Sequence, residues 1–285
     1  MARLLRDGHC VYALVRESSD TSRLRDLAGD LHIRPVLNDD AALRALIDDV
    51  KPGTIYHLAM ARDSDGVDAV LNVNVLLGVR LTQAMAENGG GRIVLAGSWW
   101  QYDAQGKYAP NSLYAASKQA LVDIVGYYSR AHGVEAAVLI LYDIYGPRDW
   151  RNRLTALLCR AARGESIAMT PGEQKIELVH VDDAVEAFVI AGQAPDVASE
   201  RPYFVGSGRQ MSIRQVAATF ERVSGRRLHL LWGEIPYPPQ LVMQPCHPID
   251  TLPGWSPRYC IEDGLKQVAE AESIERTDGH MKNDD

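Results

Sequence analysis

The chain has 285 residues, of which 46% are hydrophobic, and its formal net charge is −7 at pH 7. This length allows one large domain or two small ones, with ample material for a core. The negative charge argues against a nucleic-acid surface. The four cysteines are scattered, with no C-x-x-C pair and no metal-ligand spacing. They predict free thiols in a reducing cytoplasm and no metal site.

Neither a secretory h-region nor an uninterrupted apolar run of about 18 residues stands out in the sequence. We therefore expect a cytoplasmic chain without a membrane span. In chain order, the elements predicted for the first hundred residues are a helix at Ala2–Asp7, strands at Val11–Val15 and Arg34–Leu37, a helix at Asp39–Val50, a strand at Ile55–Ala59, a helix at Ala69–Glu87 and a strand at Arg92–Ala96. This order is typical of an α/β protein.

The remainder continues the pattern with shorter elements. The predicted helices here are Leu113–Arg130, Leu154–Arg163, Ala184–Gly192 capped by Asp182 and Asp183, Ser212–Val223 and Ile261–Ala271. The predicted strands are Val138–Leu141, Glu177–Val181, Tyr203–Gly206 and Leu228–Trp232.

A serine, a tyrosine and a lysine are spaced in a way that indicates acid–base chemistry. Tyr114 and Lys118 are four residues apart on a predicted helix, which places both side chains on one face. A phenol with a pKa near ~10 is a poor acid at neutral pH, and a nearby ammonium favours the phenolate. Chance alone gives roughly a quarter of one such pair in this composition. The context adds weight, because Ser98 ends a buried strand, where α/β proteins place reactive groups.

These residues give the chain a clear resemblance to a known family. It resembles extended short-chain dehydrogenases/reductases of the NAD-dependent epimerase/dehydratase family, to about residue 268. Gly97–Gln101, Leu141–Pro147 and Pro171–Asp183 carry the similarity besides Tyr114 and Lys118. Within that family it is most similar to reductases of nucleotide-linked 4-keto-6-deoxyhexoses, such as CDP-abequose and CDP-paratose synthases.

The resemblance implies a Rossmann-type doubly wound parallel sheet. Residues 1–150 would form the dinucleotide-binding domain. Residues 151–271 would form mainly a smaller substrate lobe, with some segments returning to the first domain, and residues 272–285 would be a disordered tail.

The resemblance also implies that the chain starts at the first helix of this fold. The first strand and its G-x-x-G-x-x-G turn, which brings backbone N–H groups to the cofactor pyrophosphate, would precede Met1. We expect an upstream start codon or a fragment. The alternative is a degenerate protein that no longer binds the cofactor. The genomic frame upstream of Met1 distinguishes these possibilities.

Cofactor contacts are implied at several places. Arg16 and Ser18 follow the second strand, where NAD-selective members carry an aspartate. A guanidinium there suits a 2′-phosphate, so NADP is favoured with NAD possible; a solvated turn arginine is the alternative. The other residues that the resemblance places at the cofactor are Asn38, Leu58, Ala59, Asn74, Tyr142 and Ile144, together with Tyr114 and Lys118.

The substrate side departs from part of the family. Trp99 and Trp100 stand where 4,6-dehydratases carry an Asp–Glu pair, and indoles cannot transfer protons, which argues for a simpler redox step. Trp99 is expected either to stack on a sugar or to pack in the core. Arg148 and Arg153 suit a substrate diphosphate, with a solvated basic turn as the alternative. Lys175 adjoins the position where many relatives bind phosphate through an arginine.

The implied reaction is NADPH-dependent reduction of a nucleotide-linked 4-keto sugar. Ser98 and Tyr114 would act on the carbonyl oxygen while Lys118 holds the nicotinamide ribose. A sugar epimerase would use the same residues and recycle its cofactor, and a non-catalytic dinucleotide-fold protein is the third possibility. The family also implies a homodimer through the helices at Ala69–Glu87 and Leu113–Arg130.

Overall fold

The computed structural model describes residues 1–36, 39–149, 154–194, 197, 201–247 and 250–280, the last eight by their backbone only. The strands are β1 (Val11–Val15), β2 (Leu31–Pro35), β3 (Thr54–His57), β4 (Gly91–Ser98), β5 (Val134–Leu141), β6 (Asp143–Tyr145), β7 (Ile167–Met169), β8 (Lys175–His180), β9 (Tyr203–Val205), β10 (Gln210–Ser212) and β11 (Leu230–Trp232). The helices are α1 (Ala2–Arg6), α2 (Ser22–Arg25), α3 (Asp40–Val50), α4 (Val67–Leu71), α5 (Leu77–Glu87), α6 (Leu113–His132), α7 (Leu154–Ala162), α8 (Val181–Gln193), α9 (Ile213–Ser224) and α10 (Ile261–His280).

The main sheet has four parallel strands in the order β3-β4-β5-β9. Most residues of its central strands β4 and β5 are buried, as expected for strands covered on both faces. Strands β1 and β2 form a separate parallel pair, and within the described ranges they pair only with each other. The parallel α/β architecture predicted from the sequence is confirmed.

Helices cover both faces of the main sheet. On one face Leu121 of α6 packs with Ile93 of β4. On the other face Ala187 of α8 packs with Val94 of β4. The result is a three-layer domain whose strands end near the loops that precede α4 and α6.

A second core lies outside this sheet. It is built from α7, α9, α10 and the short strands β7 and β8, with Phe220 and Leu265 fully buried at its centre. Strands β6, β8 and β10 form a mixed sheet, and β7 pairs with β11. Two segments from the C-terminal part of the chain, α8 and β9, pack on the main sheet. The domain limits at residues 150 and 271 stay a prediction.

One helical stretch, Val67–Glu87, is long and apolar enough to cross a membrane by length and composition alone. It comprises α4, a π-helical turn at Asn72–Leu76 and α5. Its residues Leu81 and Met85 are buried against other parts of the protein. A core helix of this kind passes the same test, so the stretch is weak evidence for a span.

Most boundaries differ from those predicted by a few residues, and β5 starts four residues early, at Val134. Three of the differences have a clear physical reason. β2 starts at Leu31 because Leu31 pairs with Val11 of β1. His180, whose Nδ1 accepts the backbone N–H of Asp182, is the N-cap of α8, so the expected cap at Asp182 and Asp183 is wrong. The backbone of α10 continues to His280 instead of ending at Ala271, because the helix-forming charged sequence goes on and Glu272 pairs with Arg163.

Candidate active site

Ser98 lies at the carboxyl end of β4 and begins a short 3-10 turn. Its Oγ accepts the backbone N–H of Trp100 at 3.3 Å, and its own N–H donates to Oε1 of Gln101 at 2.8 Å. The preceding Gly97 packs so closely that an added Cβ would lie 2.5 Å from Cδ1 of Ile140. A larger residue before Ser98 would force the buried side chains of Ile140 and Gln101 to shift.

Two side chains cap the N-terminus of α6. The hydroxyl of Ser112 accepts the N–H of Ala115 at 3.2 Å. The carboxylate of Asp63 accepts the N–H groups of Leu113 and Tyr114 at 3.1 and 2.7 Å. A negative charge at this end of a helix is favourable. Asp63 was missed by the sequence analysis, because no local pattern connects residues fifty positions apart.

Tyr114 and Lys118 lie together on α6, as their spacing predicts. Nζ of Lys118 is 5.7 Å from the centroid of the Tyr114 ring. It donates to the carbonyl oxygen of Ala59 at 3.3 Å, and the side chain is 3% exposed. Burial lowers the pKa of Lys118 to about 8. The amine is thus held between the phenol and the loop after β3.

The two tryptophans after Ser98 face different environments. Trp99 is 5% exposed, stacks on Tyr142 with centroids 6.4 Å apart, and donates from Nε1 to Asp143. Trp100 is 41% exposed, and its ring meets the Tyr114 ring edge-on at 6.2 Å. The packing alternative therefore holds for Trp99, and the expected sugar contact at that residue is corrected. The indole beside the candidate proton donor is Trp100.

Asn74 links the loop after β3 to α6 through hydrogen bonds. It is fully buried in the π-helical turn, where Oδ1 accepts the N–H of Ala61 at 2.7 Å. Its Nδ2 donates to the carbonyl of Ala61 at 2.9 Å and to Oγ of Ser117 at 3.0 Å. Ser117 in turn donates to the carbonyl of Tyr114 at 2.7 Å. Asn74 thus has a positioning role that fits the expectation that it supports the cofactor loop.

Replacing Asn74 tests this arrangement through stability. In Asn74→Ala, both backbone groups of Ala61 lose their partner, and each unmade buried hydrogen bond costs about 1–3 kcal/mol. We expect urea unfolding to show a loss of about 2–4 kcal/mol. The matched control is Asn72→Ala in the same turn, where the side chain is exposed. A control loss equal to that of Asn74→Ala would contradict the assignment.

The remaining cofactor candidates are spread along the sheet edge. Arg16 and Ser18 are exposed just after β1, and Leu58 is exposed just after β3. Tyr142 is buried and donates its hydroxyl proton to the carbonyl of Cys246 at 2.6 Å, so only its backbone is available to a cofactor. Ile144 packs partly against an apolar cluster. Asn38 lies outside the described residues.

The substrate candidates do not form one group. Lys175 is exposed at the start of β8, and its Nζ lies 3.4 Å from Oε1 of Gln244. Arg148 adopts a left-handed φ of 62° and lines a cleft of about 260 Å³. The other arginines of this cleft are Arg23, Arg160 and Arg163.

Among its described lining residues, this cleft does not include Ser98, Tyr114 or Lys118. Arg148 lines this cleft with three other arginines, and its expected contact with a substrate diphosphate stays a prediction. Arg153 lies outside the described residues.

His57 at the end of β3 is a packed side chain. It is 2% exposed, and burial, followed by the charge of Lys118, lowers its pKa to about 4. The imidazole is therefore neutral at pH 7. A buried, neutral imidazole here has a structural role in packing.

Curated relatives share moderate sequence similarity with the chain. CDP-abequose synthase of Yersinia pseudotuberculosis is 28% identical over 146 residues, so this match spans about half of each protein, 50% of the chain and 51% of the relative. CDP-abequose synthase of Salmonella muenchen is 22% identical over 93% of the chain and 90% of the relative. UDP-glucose 4-epimerase of Mycolicibacterium smegmatis is 27% identical over 94% and 92%, respectively.

Solved structures share the fold. UDP-glucose 4-epimerase of Thermotoga maritima with UDP-glucose superposes with a TM-score of 0.83 at 20% identity, over 96% of the chain and 94% of that structure. The Thermus thermophilus UDP-glucose 4-epimerase complex with NAD gives 0.82 at 20% identity, over 95% and 93%. The family model for the NAD dependent epimerase/dehydratase family matches residues 1–206, and the chain belongs to this family of enzymes.

Proposed function

We propose that this chain reduces a nucleotide-linked 4-keto-6-deoxyhexose to the 4-hydroxy sugar with NADPH. The observation that carries the proposal is the buried amine of Lys118 beneath the phenol of Tyr114, 5.7 Å from its ring centroid. Ser98 is joined to the same region through Trp100, whose N–H it binds and whose indole touches the phenol. The similarity to two CDP-abequose synthases supports the reductase.

The residues fit the nicotinamide end of a cofactor, since a buried amine and the carbonyl of Ala59 line the loop after β3. When bound, the nicotinamide supplies the hydride. Ser98 donates a hydrogen bond to the sugar carbonyl oxygen, and Tyr114 gives that oxygen a proton. Lys118 stabilises the phenolate left behind and would hold the ribose hydroxyls of the cofactor. Solvent then returns a proton to Tyr114.

The cofactor preference for NADPH depends on Arg16. This arginine is exposed one residue after β1, at the end of a strand that pairs with β2. Its planar guanidinium can donate two parallel hydrogen bonds to a 2′-phosphate. The neighbouring Glu17 carries the opposite charge, and the structures that bind NAD leave NAD as the alternative cofactor.

An NAD-dependent sugar epimerase is the second candidate. A relative of nearly the same extent is a UDP-glucose 4-epimerase, and it supports this alternative. An epimerase would use the same three residues in both directions and leave no net change in its cofactor. A chain that binds neither dinucleotide would match the non-catalytic possibility.

The deciding experiment follows NADPH absorbance as the full chain meets CDP-, UDP- and dTDP-linked 4-keto-6-deoxyhexoses. We expect one NADPH oxidised per sugar with at least one nucleotide, and NADH used less well. Sugar conversion without loss of absorbance would favour the epimerase. If titration with NADPH and NADH shows binding to neither, the non-catalytic possibility is favoured over both enzymes.

Two further expectations stay proposals. A homodimer is supported by apolar side chains exposed on neighbouring helices, namely Leu71 and Leu76 at 42% each and Tyr127 at 55%. A cytoplasmic location is supported by cysteines that are free among the described residues.

A further inference from the structure

Strands β1 and β2 gather three metal-ligating side chains that are distant in sequence. Val11 pairs with Leu31, so Cys10 lies beside Asp30, and His32, two residues after Asp30, pairs with Tyr12. The side chains of Cys10, Asp30 and His32 project from one face, because strand residues two apart share a face. The ligand atoms of these three side chains all lie within 4.8 Å of one another.

The cluster is held in place by its surroundings. Nε2 of His32 is 2.8 Å from Oδ1 of Asp30. The His32 ring stacks on Tyr12 with centroids 4.5 Å apart and an angle of 20°. The carbonyl of Asp30 accepts the N–H of Val11 at 2.8 Å. A fixed imidazole and a fixed backbone reduce the ordering cost of gathering ligands.

We propose that Cys10, Asp30 and His32 bind a zinc ion. A thiolate, a carboxylate and a neutral imidazole together neutralise a divalent cation, and sulfur and nitrogen ligands favour zinc over magnesium or calcium. Tetrahedral zinc with bonds of 2.0–2.3 Å needs ligand separations of about 3.3–3.8 Å. The exposed cysteine and aspartate can reach these separations by side-chain rotation, and water takes the fourth position.

The role of this ion is structural. The cluster includes none of Ser98, Tyr114 and Lys118, and β1 and β2 pair only with each other among the described residues. Zinc would join the start of β1 to the turn before β2. On binding, the thiol of Cys10 releases its proton to solvent as the sulfur–zinc bond forms.

The test uses the full chain, stripped with chelator and titrated with zinc chloride by calorimetry. We expect one zinc per chain and a higher Tm, because an ion that binds only the folded state stabilises it. Cobalt should give the near-ultraviolet absorption of a thiolate–cobalt bond. Absence of stoichiometric zinc binding would overturn the proposal. The contact between Asp30 and His32 would then be an ordinary surface hydrogen bond without a metal.

Variants locate the ion. Cys10→Ser, Asp30→Asn and His32→Ala should each weaken zinc binding by at least about 10-fold, the smaller effect typical of losing even an outer partner. Cys260→Ser is the matched control, because Cys260 is an exposed free thiol outside the cluster. Wild-type affinity in both Cys10→Ser and Asp30→Asn, or loss in Cys260→Ser, would contradict the site.

Discussion

Tyr114→Phe is expected to lower kcat by about 10²–10⁴-fold while substrate still binds. The change removes only the hydroxyl that gives its proton to the sugar oxygen, and positioned proton transfer is worth about this factor. The ring keeps its edge contact with Trp100, and the backbone N–H keeps its bond to Asp63. Calorimetric titration with the nucleotide sugar should therefore give an affinity close to that of the wild type.

The matched control for this variant is Tyr127→Phe on the same helix. Tyr127 is 55% exposed, and its substitution makes the same chemical change away from the site. We expect its kcat to stay near that of the wild type, because this hydroxyl takes no part in the proposed proton transfer. Tyr114→Phe with wild-type turnover would remove the basis of the proposed reaction.

Lys118→Met is expected to abolish turnover and yet to stabilise the fold at pH 7. The pKa of Lys118 falls from 10.5 to about 8 because burial penalises the ammonium. A shift of this size corresponds to about 3 kcal/mol of cost in the folded state. The variant also leaves the carbonyl of Ala59 without this donor, which costs about 1 kcal/mol. A net gain of about 1–3 kcal/mol follows.

The sign of the pH dependence is fixed by the direction of the shift. Between pH 8 and 10.5 the unfolded chain binds more protons at this lysine than the folded chain does. The cost is therefore full below about pH 8 and is relieved as the pH rises to 10.5. The stability advantage of Lys118→Met should shrink across this window in urea unfolding experiments.

An exposed lysine provides the comparison. Lys107→Met removes the same ammonium at the surface. It should change the free energy of unfolding by less than about 0.5 kcal/mol at any pH in this window. Lower stability of Lys118→Met at pH 7 would show that the buried ammonium is satisfied by partners that outweigh its desolvation.

Local patterns predicted the elements of the fold well. The helix at Asp40–Val50 begins after Asp39, whose side chain accepts the N–H of Ala41 as an N-cap, and that signal is visible in the sequence. The catalytic helix begins at Leu113 as predicted. Its spacing also predicted that Tyr114 and Lys118 share a face. These features depend on residues within one or two turns of each other.

Features that depend on distant residues were missed or misplaced. Trp99 and Trp100 are neighbours, and only the fold decides which indole is buried. The π-helical turn around Asn74 has no sequence signature that separates it from an ordinary helix. The cluster at Cys10 needs the register of two strands, which scattered cysteines do not reveal.

The loop after β3 is fixed at two points in its middle, by Asn74 at Ala61 and by the bonds of Asp63 to Leu113 and Tyr114. A mobile loop loses conformational entropy when a ligand binds. This loop is already ordered by folding, so ligand binding does not incur that cost. Ligand binding at this edge therefore meets a preorganised surface. Displacement of this loop would also remove the Asp63 cap from α6, the helix that carries Tyr114. The loop and the start of α6 should therefore move together.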